Sequence, residues 1–187
     1  IYKLLNKKKL ALNYEESQNI WYPEWVAGSV ILIKFTLFNK INNWDQGNYW
    51  MYYEDVDLCR RVTALDKKIA LLRNVEFKHS HGGSSRRNPK TTAITKSEVV
   101  TSSHVFVHES SSNINRLALH LVIMVNTLVS WLLRTLITLP FFWGGLFKTN
   151  LLTLIAIIKY YLNALIRCSW KSKRLKKISR RSKTRFE

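Results

Sequence analysis

The feature that most constrains this chain is the stretch from residue 117 to 166, where fifty positions carry only three charges, Arg134, Lys148 and Lys159. Residues Leu117 to Leu139 are mainly apolar, and at 1.5 Å per residue a helix over them is roughly 35 Å long, enough to cross a bilayer. Arg116, His120, Thr127, Ser130 and Arg134 fall close to one line on a helical wheel, and Ile123 lies in the same stripe. Pro140 ends or kinks this helix, and Phe141-Phe142-Trp143-Gly144-Gly145 reads as an aromatic interfacial turn. A second helix is expected at about 150–167, with Lys159, Asn163 and Arg167 spaced i, i+4, i+8 along one edge. Two placements stay open: helices lying in the membrane interface, or helices that span. An ordinary soluble helical pair would need a partner for so continuous an apolar surface.

Charge divides the chain in the same places. Residues 1–116 hold 17 Lys+Arg and 11 Asp+Glu, or +6. The apolar stretch adds +3, and residues 167–187 hold 10 Lys+Arg against Glu187, or +9, which completes the total of +18. Three regions are expected: a mixed-charge globular part over 1–115, membrane-associated helices over 116–167, and a basic tail over 168–187. A basic tail beside apolar helices fits an anionic membrane surface, and no nucleic-acid-binding motif accompanies it. Cys59 and Cys168 imply no disulfide framework and fit a reducing compartment. The first residues lack the apolar core and cleavage site of a secretory signal.

Within the globular part, Gly28-Ser29 introduces the β-branched run Val30-Ile31-Leu32-Ile33, which predicts a buried strand. An aromatic, turn-forming stretch follows from Asn42 to Tyr53. Leu58, Val62 and Leu65 then predict an amphipathic helix over 54–65, with Glu54, Asp55 and Asp57 in its first turn, where the helix dipole favours negative charge. Two short strands are expected at 69–72 and 75–79, followed by a His81–Ser85 loop and a basic, polar stretch to about Lys96. The part is mixed α and β.

The chemistry-bearing block is Trp44-Asp45 together with Met51-Tyr52-Tyr53-Glu54-Asp55-Val56-Asp57-Leu58-Cys59-Arg60-Arg61. Carboxylates at a loop-to-helix junction, behind aromatics able to stack on a sugar, suit a general base. Helix capping by acidic residues explains the same positions without chemistry.

In order, Trp25-Val26-Ala27-Gly28-Ser29, Trp44-Asp45, the Tyr-Tyr-Glu-Asp-Val-Asp-Leu-Cys-Arg-Arg block and the His79–Ser85 loop resemble the second half of inverting family-two glycosyltransferases, especially bacterial rhamnosyltransferase-like members. The resemblance covers about residues 21–90. It implies an α/β fold, a partial GT-A-like mixed sheet forming the acceptor-side half. It also implies single-displacement transfer of a sugar such as rhamnose from a nucleotide-sugar donor to a glycan or lipid-linked acceptor. Asp55 corresponds to the base, with Glu54, Trp44, Asp45 and Asp57 as supporting substrate-binding residues. His79 corresponds to a histidine that helps hold a divalent metal, Mg or Mn, on the donor diphosphate. Arg86-Arg87 stand where they would meet that diphosphate or simply face solvent; His104, His108 and His120 receive no role.

The departures are specific. No Asp-x-Asp precedes the block, Gln46 replaces a frequent acid, and Asp66 replaces a usual glycine. A complete GT-A domain does not fit in 1–116, so the chain is expected to be the C-terminal part of a longer enzyme, inactive alone, acting in polysaccharide biosynthesis at the cytoplasmic face of the bacterial inner membrane. The competing expectation is a non-catalytic membrane-binding or assembly protein that keeps a remnant of the fold.

Overall fold

The computed structural model describes residues 13–15, 19–79 and 87–175. They are mostly helical, with a small antiparallel sheet, which gives the chain α/β character. The chain divides into two compact units. The first takes the described residues up to Trp44 together with Asp55–His79; the second takes Asp45–Glu54 together with the described residues from Arg87 onward.

In the first unit, β1 (Asn13–Glu15), β2 (Ile20–Tyr22) and β3 (Leu71–Leu72) form a sheet in the order β1-β2-β3. Tyr22 lies opposite Asn13, and Trp21 lies opposite Leu71. Helix α1 (Phe35–Lys40) and helix α2 (Glu54–Thr63) supply the rest. The first residue of α2, Glu54, counts with the second unit. Ile41, Leu58 and Val62 are buried, and Ile31, Ile33, Leu37, Phe38, Trp44, Leu65 and Ile69 pack against them. The predicted helix therefore forms, and its i, i+4, i+7 apolar stripe is the core.

Two strand expectations are corrected. Residues Val30–Ile33 are not a strand: Ile31 and Ile33 pack inward while Val30 and Leu32 are exposed, but among the described residues no neighbouring strand takes up their backbone. Residues 75–79 are irregular and exposed, because β3 pairs with β2 instead of folding back onto them. Alternating burial alone does not make a strand without a ladder partner. The His81–Ser85 loop and Arg86 lie outside the described residues, as does the tail beyond Leu175.

The second unit is a helical assembly of α3 (Pro89–Ser110), α4 (Asn113–Ile137) and α5 (Gly145–Arg167). A 3-10 turn at Leu139–Phe141, containing Pro140, separates α4 from α5. Helix α3 was not foreseen. It begins within the stretch read as polar loop, where Asn88 caps Thr91 (N–H to Oδ1, 2.9 Å) and Pro89 opens the first turn. Its buried side chains include Thr95, Ser97, Glu98, Thr101, Ser102 and His104, so no apolar stripe marks it. Helix α3 packs on α4 and α5, and all three belong to the second compact unit.

The interior of these helices is mixed: Val100, Ile157 and Tyr161 form a buried cluster with Met124, Leu128 and Trp131 packed against it, and polar side chains are buried beside them. His120, Thr127 and Thr135 of α4 and Asn150 and Thr153 of α5 are buried. Leu117, Leu121, Val125, Val129, Leu132, Leu136 and Ile137 of α4 are exposed, as are Leu162, Leu165 and Ile166 of α5. The polar stripe of α4 thus includes buried members that face protein, and it is the apolar arc that looks outward. Two segments, Asn115–Ile137 and Gly145–Arg167, are long and apolar enough to cross a membrane. At the end of α5, Cys168 adopts a left-handed conformation (φ 45°) that closes the helix, and the following residues bring Trp170 against His104.

His104 is fully buried. Its Nδ1 lies 2.8 Å from His120 Nδ1, its Nε2 lies 3.0 Å from the Tyr161 hydroxyl, and its ring stacks on Trp170 at 4.6 Å. Burial, and then the neighbouring His120, lower the His104 pKa to about 3. A histidine whose folded pKa is depressed binds its proton more readily when unfolded, so stability is full above pH 6.5 and is lost as pH falls toward 3. Denaturant titration of the detergent-solubilised chain is expected to show the helical unit weakening across that window, and His104→Gln is expected to flatten the slope.

Candidate functional site

The three aspartates of the chemistry-bearing block have different surroundings. Asp57 is 1% exposed. Arg60 Nη2 donates to one of its oxygens at 2.6 Å and Arg61 Nε to the other at 2.8 Å. Arg61 also donates to the carbonyls of Ile41 and Asn43, the latter at 2.8 Å. Asp57 therefore ties α2 to the loop that follows α1. Asp45, in the second unit, closes its own turn: its oxygens accept from the Asn48 backbone N–H (3.1 Å) and side-chain amide (2.7 Å).

Asp55 is held by backbone alone. Gly28 N–H donates to Oδ2 at 2.8 Å and Val56 N–H donates to Oδ1 at 2.9 Å. A carboxylate offers about four acceptor directions, and these bonds use two of them. The side chain is partly exposed. Two backbone donors set the orientation of the carboxyl plane while no side-chain cation among the described residues neutralises it. The 27-residue separation between Gly28 and Asp55 makes this a product of the fold. One helical turn on, the buried Cys59 faces the same loop through the Val26 backbone, and burial pushes its thiol pKa up. Val26 and Gly28 of the Trp-Val-Ala-Gly-Ser motif thus meet α2 at positions 59 and 55.

Gly28 has a steric reason to be glycine. A Cβ there would sit 3.2 Å from Asp55 Cβ and 3.6 Å from Oδ2. Nearly all real Cβ contacts are longer, so a side chain would push the carboxylate aside.

The residues before the helix are strained. Tyr52 and Tyr53 both have φ of 67°, in the left-handed region that bulky side chains avoid at roughly 1–2 kcal/mol each. Within the second unit, Ser102 Oγ donates to Met51 O at 2.7 Å and the Tyr53 ring packs on Phe106 at 5.6 Å. Helix α3 holds this conformation immediately before Glu54. Strain retained by surrounding contacts is characteristic of functional segments.

The other expected site residues have the following surroundings. Trp44 is half-buried in the apolar cluster, edge-on to Phe38 at 6.2 Å. Glu54 belongs to the second unit and is half-buried. His79 is exposed in the irregular segment after β3. Among the described residues no three His, Cys, Asp or Glu side chains gather to hold a metal ion. Sequence reasoning missed the buried His104–His120–Tyr161 cluster and Glu98; sixteen residues between the histidines left no spacing signal.

Two substitutions separate architecture from chemistry. Asp57→Ala leaves two arginines without their carboxylate and is expected to cost about 3 kcal/mol, measured by denaturant unfolding. Gly28→Ala is expected to leave unfolding nearly unchanged while displacing Asp55, visible as a shifted carboxyl resonance in NMR spectra.

Comparison with known proteins yields one informative similarity. Over 59 residues the chain is 41% identical to rhamnosyltransferase WbbL of Escherichia coli strain K12, a match covering 32% of this chain and 21% of that protein. The chain thus spans about a fifth of the relative's length. No family profile matches, and no solved structure matches. The similarity supports a glycosyltransferase relationship.

Proposed function

We propose that this chain carries the acceptor-activating part of a sugar-transferring enzyme, with Asp55 as general base. The observation that carries the reading is the contrast between Asp57, buried and taken by Arg60 and Arg61, and Asp55, which two backbone donors orient at a partly exposed surface with acceptor capacity left over; the two bonds of Asp45 both lie within its own turn. The similarity to a rhamnosyltransferase supplies the reaction class.

In this mechanism the acceptor hydroxyl donates its proton to an Asp55 oxygen as its own oxygen bonds to the anomeric carbon of the donor sugar. The bond from that carbon to the nucleoside diphosphate breaks, and the diphosphate leaves with the electron pair. One displacement inverts the anomeric centre. The Gly28 and Val56 amides hold the carboxylate in one orientation, which matters because proton transfer requires hydrogen-bond contact. Asp57 and Arg61 fix the helix that bears it. Trp44 and Asp45 act as supports, one in the apolar core and one in its turn. A sugar such as rhamnose is transferred, and a polysaccharide or lipid-linked acceptor receives it.

The apolar outer arcs of α4 and α5 support attachment to a bilayer, where lipid-linked acceptors reside. Burial of His120, Thr127, Asn150 and Thr153 between helices, with Leu and Ile outward, favours insertion over lying flat with a wet polar stripe. The same observation favours a second reading, a membrane-binding or assembly protein without catalysis, in which Asp55 is dispensable.

In the full-length enzyme, Asp55→Asn is expected to lower sugar transfer from a nucleoside-diphosphate donor by about 10²- to 10⁴-fold. Donor binding, read by calorimetry, should hold. Transfer at the wild-type rate contradicts the assignment and leaves the assembly reading.

A further inference from the structure

A cavity of about 400 Å³ in the second unit is lined by α3, α5 and the segment that follows α5. Five cations line it, Lys159, Arg167, Lys171, Lys173 and Arg174, against a single carboxylate, Glu98. Arg174 pairs with Glu98 and lies over the Trp50 ring at 5.2 Å, and Lys173 donates to Asn163 Oδ1. Lys159, Arg167 and Lys171 have no ion-pair partner among the described residues. Three uncompensated cations around one concavity repel each other, and an anion among them removes that repulsion.

Glu98 gives the cavity a second character. It is 2% exposed; one oxygen accepts from Arg174 and from Ser172 Oγ at 3.1 Å, while Oε2 has no partner among the described residues. A buried acceptor left open is costly unless something donates to it. A ligand for this cavity thus has an anionic group for the lysines and arginine and a hydroxyl or ammonium for Glu98.

The position on α5 says how such a ligand arrives. Lys159, Asn163 and Arg167 form one edge of the helix, and the adjoining arc is the exposed apolar one: Ile155, Ile158, Leu162, Leu165 and Ile166. A phosphate at the cavity has acyl-sized apolar surface directly beside it.

We propose that this cavity binds the phosphate ester of an anionic lipid headgroup, with Lys159, Arg167 and Lys171 on the phosphate, Glu98 Oε2 accepting from the headgroup's hydroxyl, and the acyl chains along the Ile/Leu arc of α5. The inference rests on bilayer attachment of α4 and α5 and is independent of Asp55.

The test is vesicle flotation of the full chain on phosphatidylcholine, with or without about one-third phosphatidylglycerol. The wild type should gain about ten-fold in affinity from phosphatidylglycerol. Replacing Lys159, Arg167 and Lys171 together by Ala should abolish that gain while attachment to pure phosphatidylcholine persists. Replacing Lys176, Lys177 and Arg180 by Ala removes the same charge from the tail and should retain most of the gain. Equal losses in the two variants overturn the proposal, since diffuse charge then suffices. Soluble glycerophosphate separates the sources of the ligand: failure to compete identifies the lipid headgroup, and competition abolished by the cavity substitutions identifies a free phosphate ester, which overturns the lipid assignment. Failure of the wild type to float on either vesicle removes the membrane reading itself.

Discussion

The hydrogen bond from the Gly28 amide to the Asp55 carboxylate is the contact on which the functional account depends. It joins two sequence motifs 27 residues apart and fixes the direction of a carboxylate that no cation among the described residues neutralises. Around it, α2 acts as a ruler. Asp55 and Cys59, one turn apart, meet the loop containing Val26 and Gly28, while Leu58 and Val62 bury the helix and Asp57 clamps it through Arg61 to the carbonyls of Ile41 and Asn43. Glycine at 28 lets the loop approach α2 closely, since a Cβ there would sit 3.2 Å from Asp55 Cβ.

The helical unit obeys a different constraint. A water-soluble helix keeps polar groups outward; here histidine, threonine and asparagine are buried beside the apolar cluster of Val100, Ile157 and Tyr161, while many leucines, isoleucines and valines are exposed. Polar groups buried in a low-dielectric interior need partners, and they find them locally. His104 meets His120 and Tyr161, Thr153 donates to the Thr149 carbonyl at 2.7 Å, and Asn150 donates to the Arg134 carbonyl at 3.3 Å. These local partners fix how the helices pack, together with the apolar contacts of Val100, Ile157 and Tyr161.

What was legible in the sequence follows from which physics leaves a periodic trace. Helix α2 showed in Leu58, Val62 and Leu65, and the long helices showed in their length, their apolar content and Pro140. Helix α3 did not show, because Thr, Ser, Glu and His outnumber Ala93, Val100 and Val105 on its buried face, and such residues read as a solvated loop when their partners are unknown. The strand expected at Val30–Ile33 failed for the complementary reason: β-branched side chains record burial, whereas a strand also needs a neighbouring edge, and the two-residue β3 went to β2. The Asp55 block was legible as a motif, but its chemistry was not. That Asp57 is buried against two arginines while Asp55 is partly exposed on two backbone donors depends on Arg60, Arg61 and Gly28, and only folding brings Gly28 to it.

The most direct measurement of the central claim is chemical rescue of sugar transfer in full-length enzyme carrying Asp55→Ala. If the Asp55 carboxylate is the base and the surrounding loop only orients it, added formate should restore part of the lost rate, in proportion to its concentration, with the anomeric configuration of the product unchanged. Wild-type transfer by the Asp55→Ala enzyme without formate, or a lost rate that formate leaves untouched while Asp55→Glu also stays inactive, contradicts it.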